Sequence, residues 1–318
     1  ILKQEEGEET DKIIVAEKEA IKGEDITLTV DKKLQQSIYS QLQGEKGQGT
    51  AIDPKTGEVL ALVSSPSFDS NVFTTYVPDS VKKEWEETED AAFTNRFKSA
   101  YAPGSTFKLI TGAVALDLGA ISPEETIDIS GLTWQKDSSW GGYKVTRVKD
   151  PKTPVNLKDA YIYSDNIYFA QAALKMGAES FEKEISKRFG IGEELPFVYP
   201  MAASQLSNKG ISKEILLADS AYGQGEVLMT PLHVALAYSA VVNEGNIMKP
   251  VLEGDSFETW KQGAISSETA SLLKEYLTAV IEDPKGSGHE GKIQGISLSG
   301  KTGTAELKKS LEDTQAEE

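Results

Sequence analysis

Ile26-Thr27-Leu28-Thr29-Val30 alternates apolar and polar positions with β-branched residues, the pattern of a half-buried strand. Asp31 follows as an N-cap for a helix spaced on Leu34, Ile38 and Leu42. The apolar runs Gly49–Asp53 and Glu58–Val63 flank Pro54-Lys55-Thr56-Gly57, a turn composition that predicts a hairpin. From 64 to 100, turn formers mix with a polar, helix-like segment around Trp85, and no further placement follows. Residues 105–118 are apolar on most faces, as in a helix buried within a domain, between Pro103-Gly104 and Gly119. Helices are further expected from Leu157 to Lys175, from Thr230 to Glu244 and from Ser267 to Ile281. The second has Thr230 as cap, Pro231 in the first position and Gly245 as stop. Lys292–Ser299 alternates like a strand and leads into Gly300-Lys301-Thr302-Gly303-Thr304. Strands at both ends with helices between predict an α+β fold whose terminal segments share one antiparallel sheet.

The 318 residues suffice for one large domain or two modest ones, and 39% hydrophobic with 26% charged is an ordinary globular balance. A formal charge of -17 argues against nucleic acid as a partner. No apolar run approaches the ~20 residues of a membrane-spanning helix, so the chain as given is expected to be soluble. With no cysteine and only His233 and His289, a thiolate metal site and a His-based triad are nearly excluded. His233 is expected to be packed or half-exposed, and His289, in a Gly-rich turn, exposed.

A covalent enzyme of this composition must activate Ser or Thr with lysine. Ser-x-x-Lys puts both side chains on one helix face, but the spacing occurs at Ser80/Lys83, Ser105/Lys108, Ser180/Lys183 and Ser271/Lys274. Only Ser105/Lys108 opens a helix of buried character, where desolvation lowers the amine pKa; the other three lie in charged stretches and read as surface pairs. Ser105/Lys108 is either a catalytic pair or a helix cap with an incidental lysine. Lys55-Thr56-Gly57 serves a turn. Lys301-Thr302-Gly303-Thr304 is either an ordinary strand end or, with its bare Gly303 backbone, a seat for a peptide carboxylate. Ser164-Asp165-Asn166, among aromatic neighbours, is a buried polar cluster or a set of donors aimed at a cleft.

In this order, Ser-x-x-Lys at 105, Ser-Asp-Asn at 164 and Lys-Thr-Gly at 301 resemble the active-site triplet of penicillin-binding proteins and serine β-lactamases. Asp53–Val63, Pro103–Lys108 and Tyr222-Gly223-Gln224-Gly225 with Thr230-Pro231-Leu232 resemble class B penicillin-binding proteins. Trp134-Gln135-Lys136-Asp137 with Trp140-Gly141-Gly142-Tyr143 is similar to the low-affinity, methicillin-resistance-type subgroup of Gram-positive bacteria. The resemblance spans roughly residues 24–307. It implies a central antiparallel sheet with flanking helices and an all-helical lobe, the sheet incomplete at its C-terminus.

The activity implied is a D,D-transpeptidase that cross-links peptidoglycan on D-Ala-D-Ala stem peptides and is acylated by β-lactams. Ser105 would be the nucleophile and Lys108 its base; Ser164 would relay a proton to the leaving amine in concert with Lys301. Asn166 would bind the substrate amide carbonyl and Thr302 and Thr304 its carboxylate beside Gly303, with the N–H groups of Ser105 and Thr304 as oxyanion hole. Tyr143 and Gln224 are weaker candidates for the groove. No metal or organic cofactor is implied. A glycosyltransferase or division and elongation proteins are expected as partners, at the extracytoplasmic membrane face of the full-length protein. Residues 1–25 are expected to be the remnant of a non-catalytic pedestal or linker, and 26–318 a C-terminally truncated transpeptidase domain. The alternatives are a carboxypeptidase or β-lactamase passing the acyl group to water, and a non-catalytic β-lactam sensor or scaffold.

Overall fold

Asp31 starts a helix and the Pro54–Gly57 segment closes a hairpin, as their residue types require. α1 (Lys32–Gln41) begins where the Asp31 carboxylate accepts from the backbone N–H groups of Lys33 and Leu34, which have no partner within the helix. β1 (Gly47–Ile52) and β2 (Val59–Ser65) pair antiparallel, with a bulge between Ala51 and Ile52. At Gly57, φ is 81° and a Cβ would stand 2.2 Å from the Lys249 carbonyl oxygen, so this Lys-Thr-Gly copy is structural. The computed structural model describes residues 21–74, 76–87, 94–152 and 154–305; the expectations for residues 1–20 and for the tail beyond 305 lie outside these.

α2 (Asp79–Glu87) forms the polar helix around Trp85. α3 (Lys108–Asp117) follows a single 3₁₀ turn over Gly104–Phe107 and is buried from Lys108 through Ala115. The helix expected over 157–175 is two helices, α4 (Leu157–Ile162) and α5 (Asn166–Met176), parted at Tyr163–Asp165. Ser164 takes φ 54°, and the Asp165 carboxylate accepts from the N–H groups of Ile167 and Tyr168. A capping side chain inside the apolar run thus starts a new helix and stops the old one. α6 (Ala178–Phe189) packs with α3 and α5, and α7 (Glu214–Ser220) with α5. α8 (Pro231–Val242) is capped by Thr230, and α9 (Ser267–Glu282) by Ser266.

Beyond the hairpin, strands are short: β3 (Thr133–Trp134) pairs with β4 (Val145–Thr146), and β5 (Ile247–Met248) with β6 (Thr259–Lys261). The two terminal strands of the expected shared sheet do not form. Ile26–Val30 contributes one bridge, Leu28 to Glu253, and lays Thr29 across the end of β2 through its hydroxyl to the Val59 carbonyl (2.8 Å). Lys292–Ser299 is irregular, with Ile293 and Ile296 both more than half exposed. Alternation makes a strand only where a neighbour takes up its N–H and C=O groups, and among the described residues no strand pairs with this segment. Among the described residues β1 likewise pairs on one edge only, with β2, while α8 covers its face.

His233 is buried between the Ser204 hydroxyl (2.8 Å) and the Phe189 carbonyl (2.7 Å), and burial pushes its pKa down to about 4. It is a packed neutral imidazole. His289 is half-buried rather than exposed, because its Nδ1 bonds the Ile281 carbonyl at the end of α9 (2.9 Å).

Candidate active site

Three segments meet at the turn that carries Ser105, and glycines permit the approach. Gly104 N–H donates to the Gly223 carbonyl (2.9 Å), and a Cβ on Gly104 would stand 2.3 Å from the Thr304 carbonyl oxygen. A Cβ on Gly223 would in turn stand 2.2 Å from the Gly104 oxygen. A Cβ on Gly303 would meet the Thr106 methyl at 2.9 Å, so it is this chain's own turn that comes close to that backbone.

Lys108, at the first position of α3, is fully buried. Its Nζ lies 2.9 Å from Ser105 Oγ, 3.0 Å from Ser164 Oγ, 2.7 Å from the Ser164 carbonyl and 2.7 Å from Asn166 Oδ1. Burial, reinforced by the charge of Lys301 and opposed by Asp165, holds its pKa well below the ordinary lysine value. Asn166 Nδ2 donates to the Thr146 carbonyl (2.9 Å), which can only accept; this orients the amide and directs Oδ1 at Lys108. A neutral amine has two hydrogens and one lone pair. The Ser164 carbonyl and Asn166 Oδ1 can only accept and so take the hydrogens, leaving the lone pair for a hydroxyl, with those of Ser105 (2.9 Å) and Ser164 (3.0 Å) both in reach.

Lys301 also reaches Ser164, its Nζ 2.7 Å from Ser164 Oγ and 2.9 Å from the Thr302 carbonyl. Burial brings its pKa down to about 7. Thr302 Oγ1 accepts from Lys301 (3.2 Å) and donates to Ser287 Oγ (3.1 Å), while Thr304 is exposed beside Gly104. The structure therefore brings Ser105, Lys108, Ser164, Asn166, Lys301 and Thr302 into one hydrogen-bonded group. Lys83, Lys183 and Lys274 of the other Ser-x-x-Lys pairs are exposed.

Of the weaker groove candidates, Tyr143 donates to the Asp219 carboxylate, as does Tyr222, and Gln224 N–H bonds the Asp219 carbonyl (3.1 Å). Trp134 and Trp140 pack edge to face beside Tyr143. A cleft of about 840 Å³ lies behind the Ser105 turn, between β1, α8, Pro103 and Lys301.

Sequence reasoning missed Ser287, Arg147 and the role of Asp165. Ser287 belongs to a Gly-rich turn docked by its N–H on the Ile162 carbonyl (2.9 Å). Arg147 donates to Asp165 at 2.7 Å with both side chains buried. Nothing local marks Ser287 or Arg147; the Asx-type residue between two motif positions was the one available signal for Asp165.

The model of the family described as penicillin binding protein transpeptidase domain matches residues 47–318. This chain belongs to that family. Penicillin-binding protein 3 of Bacillus subtilis is 43% identical over 96% of the chain and 46% of its own length. The peptidoglycan D,D-transpeptidase PbpA of Mycobacterium tuberculosis is 30% identical over 90% of the chain and 61% of its own length. The chain thus spans about half the length of these curated relatives. A ceftriaxone acyl-enzyme complex of penicillin-binding protein A from M. tuberculosis superposes with a TM-score of 0.78 at 27% identity, covering 88% of this chain and 66% of that one. The D,D-transpeptidase domain of a peptidoglycan glycosyltransferase from Eggerthella lenta gives 0.74, at 27% identity over 89% and 72%. The transpeptidase fold and the class B assignment expected from the motifs hold. Among the described residues no helix is long and apolar enough to cross a membrane.

Proposed function

We propose that the chain is the D,D-transpeptidase module of a class B penicillin-binding protein, cross-linking peptidoglycan through a Ser105 acyl-enzyme. The observation that carries this reading is the buried Lys108 amine, 2.9 Å from the Ser105 hydroxyl, with two accept-only oxygens at 2.7 Å to take the hydrogens of its neutral form. As the Ser105 oxygen bonds the carbonyl carbon of the penultimate D-Ala, its proton passes to Lys108. The peptide C–N bond then breaks, and the departing D-Ala amine takes a proton through Ser164, which both lysines touch. An acceptor amine next attacks the ester and returns the proton to Ser105. A β-lactam enters the same first step, but its leaving nitrogen stays tethered and the ester persists.

In this reading Asn166 holds the substrate amide, Thr302 and Thr304 beside Gly303 hold the carboxylate, and the N–H groups of Ser105 and Thr304 receive the oxyanion. The names of the relatives and the acyl-enzyme complexes of similar structures support it. Residues 26–318 would be the transpeptidase domain and 1–25 part of a preceding pedestal or linker. The protein would work at the extracytoplasmic membrane face beside a glycosyltransferase. The low-affinity, methicillin-resistance-type subgroup is supported by the Trp134–Tyr143 segment alone, and slow acylation by benzylpenicillin would test it.

The deciding experiment is intact-protein mass after incubation with benzylpenicillin, beside Ser105→Ala. A persistent single adduct on the parent and none on the variant is the expected result. Drug consumed without an adduct overturns it in favour of a hydrolase.

A further inference from the structure

Asp165 is the residue of the Ser164-Asp165-Asn166 turn for which the proposed mechanism has no use. It is 1% exposed, and its carboxylate oxygens are engaged separately. Oδ1 accepts from the N–H groups of Ile167 (2.9 Å) and Tyr168 (3.2 Å), and Oδ2 accepts from Arg147 Nη1 (2.7 Å). The Arg147 side chain is also 1% exposed and donates further to Asp150 Oδ1 (2.9 Å) and to the carbonyls of Ile129 and Gly131 (both 2.8 Å). A planar guanidinium can be buried only when its fork is filled this way. The preceding residue, Thr146, accepts from Asn166. Residues 146 and 147 therefore hold Asn166 and Asp165, while Ser164 between them and the nucleophile presents its carbonyl and hydroxyl to Lys108.

The arrangement also balances charge. The titratable groups about Lys108 are Lys301 across Ser164, Asp165 beneath the turn, and the Tyr161 phenol, which donates to the Lys108 carbonyl (3.0 Å). Lys301 disfavours a proton on Lys108 and Asp165 favours one. An uncompensated carboxylate there would keep the base protonated, and Arg147 is the cation paired with it.

We propose that Arg147 is a positioning residue for Ser105, Lys108 and Ser164: paired with Asp165, it fixes the Ser164–Asn166 turn and cancels the carboxylate that would otherwise hold a proton on Lys108. The inference rests on Lys108 acting as the base, and its test must separate the two. The first readout is the ¹³Cε shift of Lys108 against pH, which needs no acylation. The second is the rate of Ser105 acylation by benzylpenicillin over the same pH range.

Asp165→Asn keeps an oxygen for the cap and removes the charge, so the Lys108 midpoint moves to lower pH. Arg147→Met leaves the Asp165 and Asp150 carboxylates without their cation, so the midpoint moves to higher pH, and once it stands above the assay pH acylation falls about tenfold for each further pH unit. The double variant returns towards the parent midpoint. Arg147→Lys keeps the charge and loses the fork, so it holds the midpoint and loses rate. Equal midpoints in Asp165→Asn, the double variant and the parent, or midpoints displaced in one direction in all variants, overturn the proposal even if Arg147→Met fails to fold. A parent whose Lys108 responds as stated but does not acylate leaves this inference standing and counts against the proposed function.

Discussion

The Lys301 amine lies 2.7 Å from the Ser164 hydroxyl, and the Lys108 amine lies 3.0 Å from the same oxygen. Two buried amines sharing one hydroxyl cannot both carry a proton cheaply. Lys301, held at about 7, is the group that titrates in the working range. Acylation by benzylpenicillin is expected to follow an ionisation near pH 7 in the parent, and to lose that ionisation in Lys301→Met. A pH profile with the same inflection in both would remove Lys301 from the proton path.

The lowered lysine pKa values also bear on stability. A lysine whose folded pKa lies below its unfolded value binds fewer protons in the native state between the two values, so stability rises with pH across that window. For Lys301 the window runs from about 7 to about 10.4; Lys108, also lowered, acts in the same direction. Urea denaturation should show the parent gaining about 1 to 3 kcal/mol between pH 7 and 9.5. Lys301→Met should gain less over that interval and be the more stable protein at pH 7, even as it loses activity.

Ser164 combines a strained backbone with a needed hydroxyl, at φ 54°. Glycine adopts this conformation freely, whereas alanine costs about 1 kcal/mol. Ser164→Gly is therefore expected to be about 1 kcal/mol more stable than Ser164→Ala, while both acylate slowly for want of the hydroxyl. Equal stabilities would mean that the turn relaxes away from positive φ.

Legibility in the sequence followed how local each signal was. Asp31 and Thr230-Pro231 stand beside the helices they cap, so two helix starts were readable from neighbours alone. Ser105/Lys108 could be told from its three namesakes because burial of α3 is written in its own apolar residues. Asp165 is a cap of the same kind, yet its position inside an apolar run hid the break between α4 and α5. Its pairing with Arg147 is a tertiary contact with no periodic trace. Lys292–Ser299 misled for the opposite reason, since alternation records what a strand would need and says nothing about whether a neighbour is there to supply it.

Asn166→Ala separates the amine's orientation from its burial. Oδ1 takes one Lys108 hydrogen at 2.7 Å and Nδ2 ties the turn to Thr146 at 2.9 Å. Without that acceptor, one amine hydrogen turns to the Ser105 or Ser164 hydroxyl, and the lone pair is no longer reserved for them. Acylation by benzylpenicillin should fall by about 10²-fold, the scale of a misoriented general base.

Gly104→Ala tests the glycine contact at the nucleophile. The added Cβ would stand 2.3 Å from the Thr304 carbonyl oxygen, a backbone atom that cannot turn aside, at a residue whose φ of 54° already disfavours a side chain. The Lys301–Thr304 segment must then move off the Ser105 turn, whereas α3 and its buried neighbours are held by contacts that do not involve this segment. Far-UV circular dichroism should stay near that of the parent while β-lactam labelling of Ser105 is lost. Labelling at the parent rate would mean that the Lys-Thr-Gly segment is dispensable for acylation, and the roles proposed for Lys301 and Thr304 would fall with it.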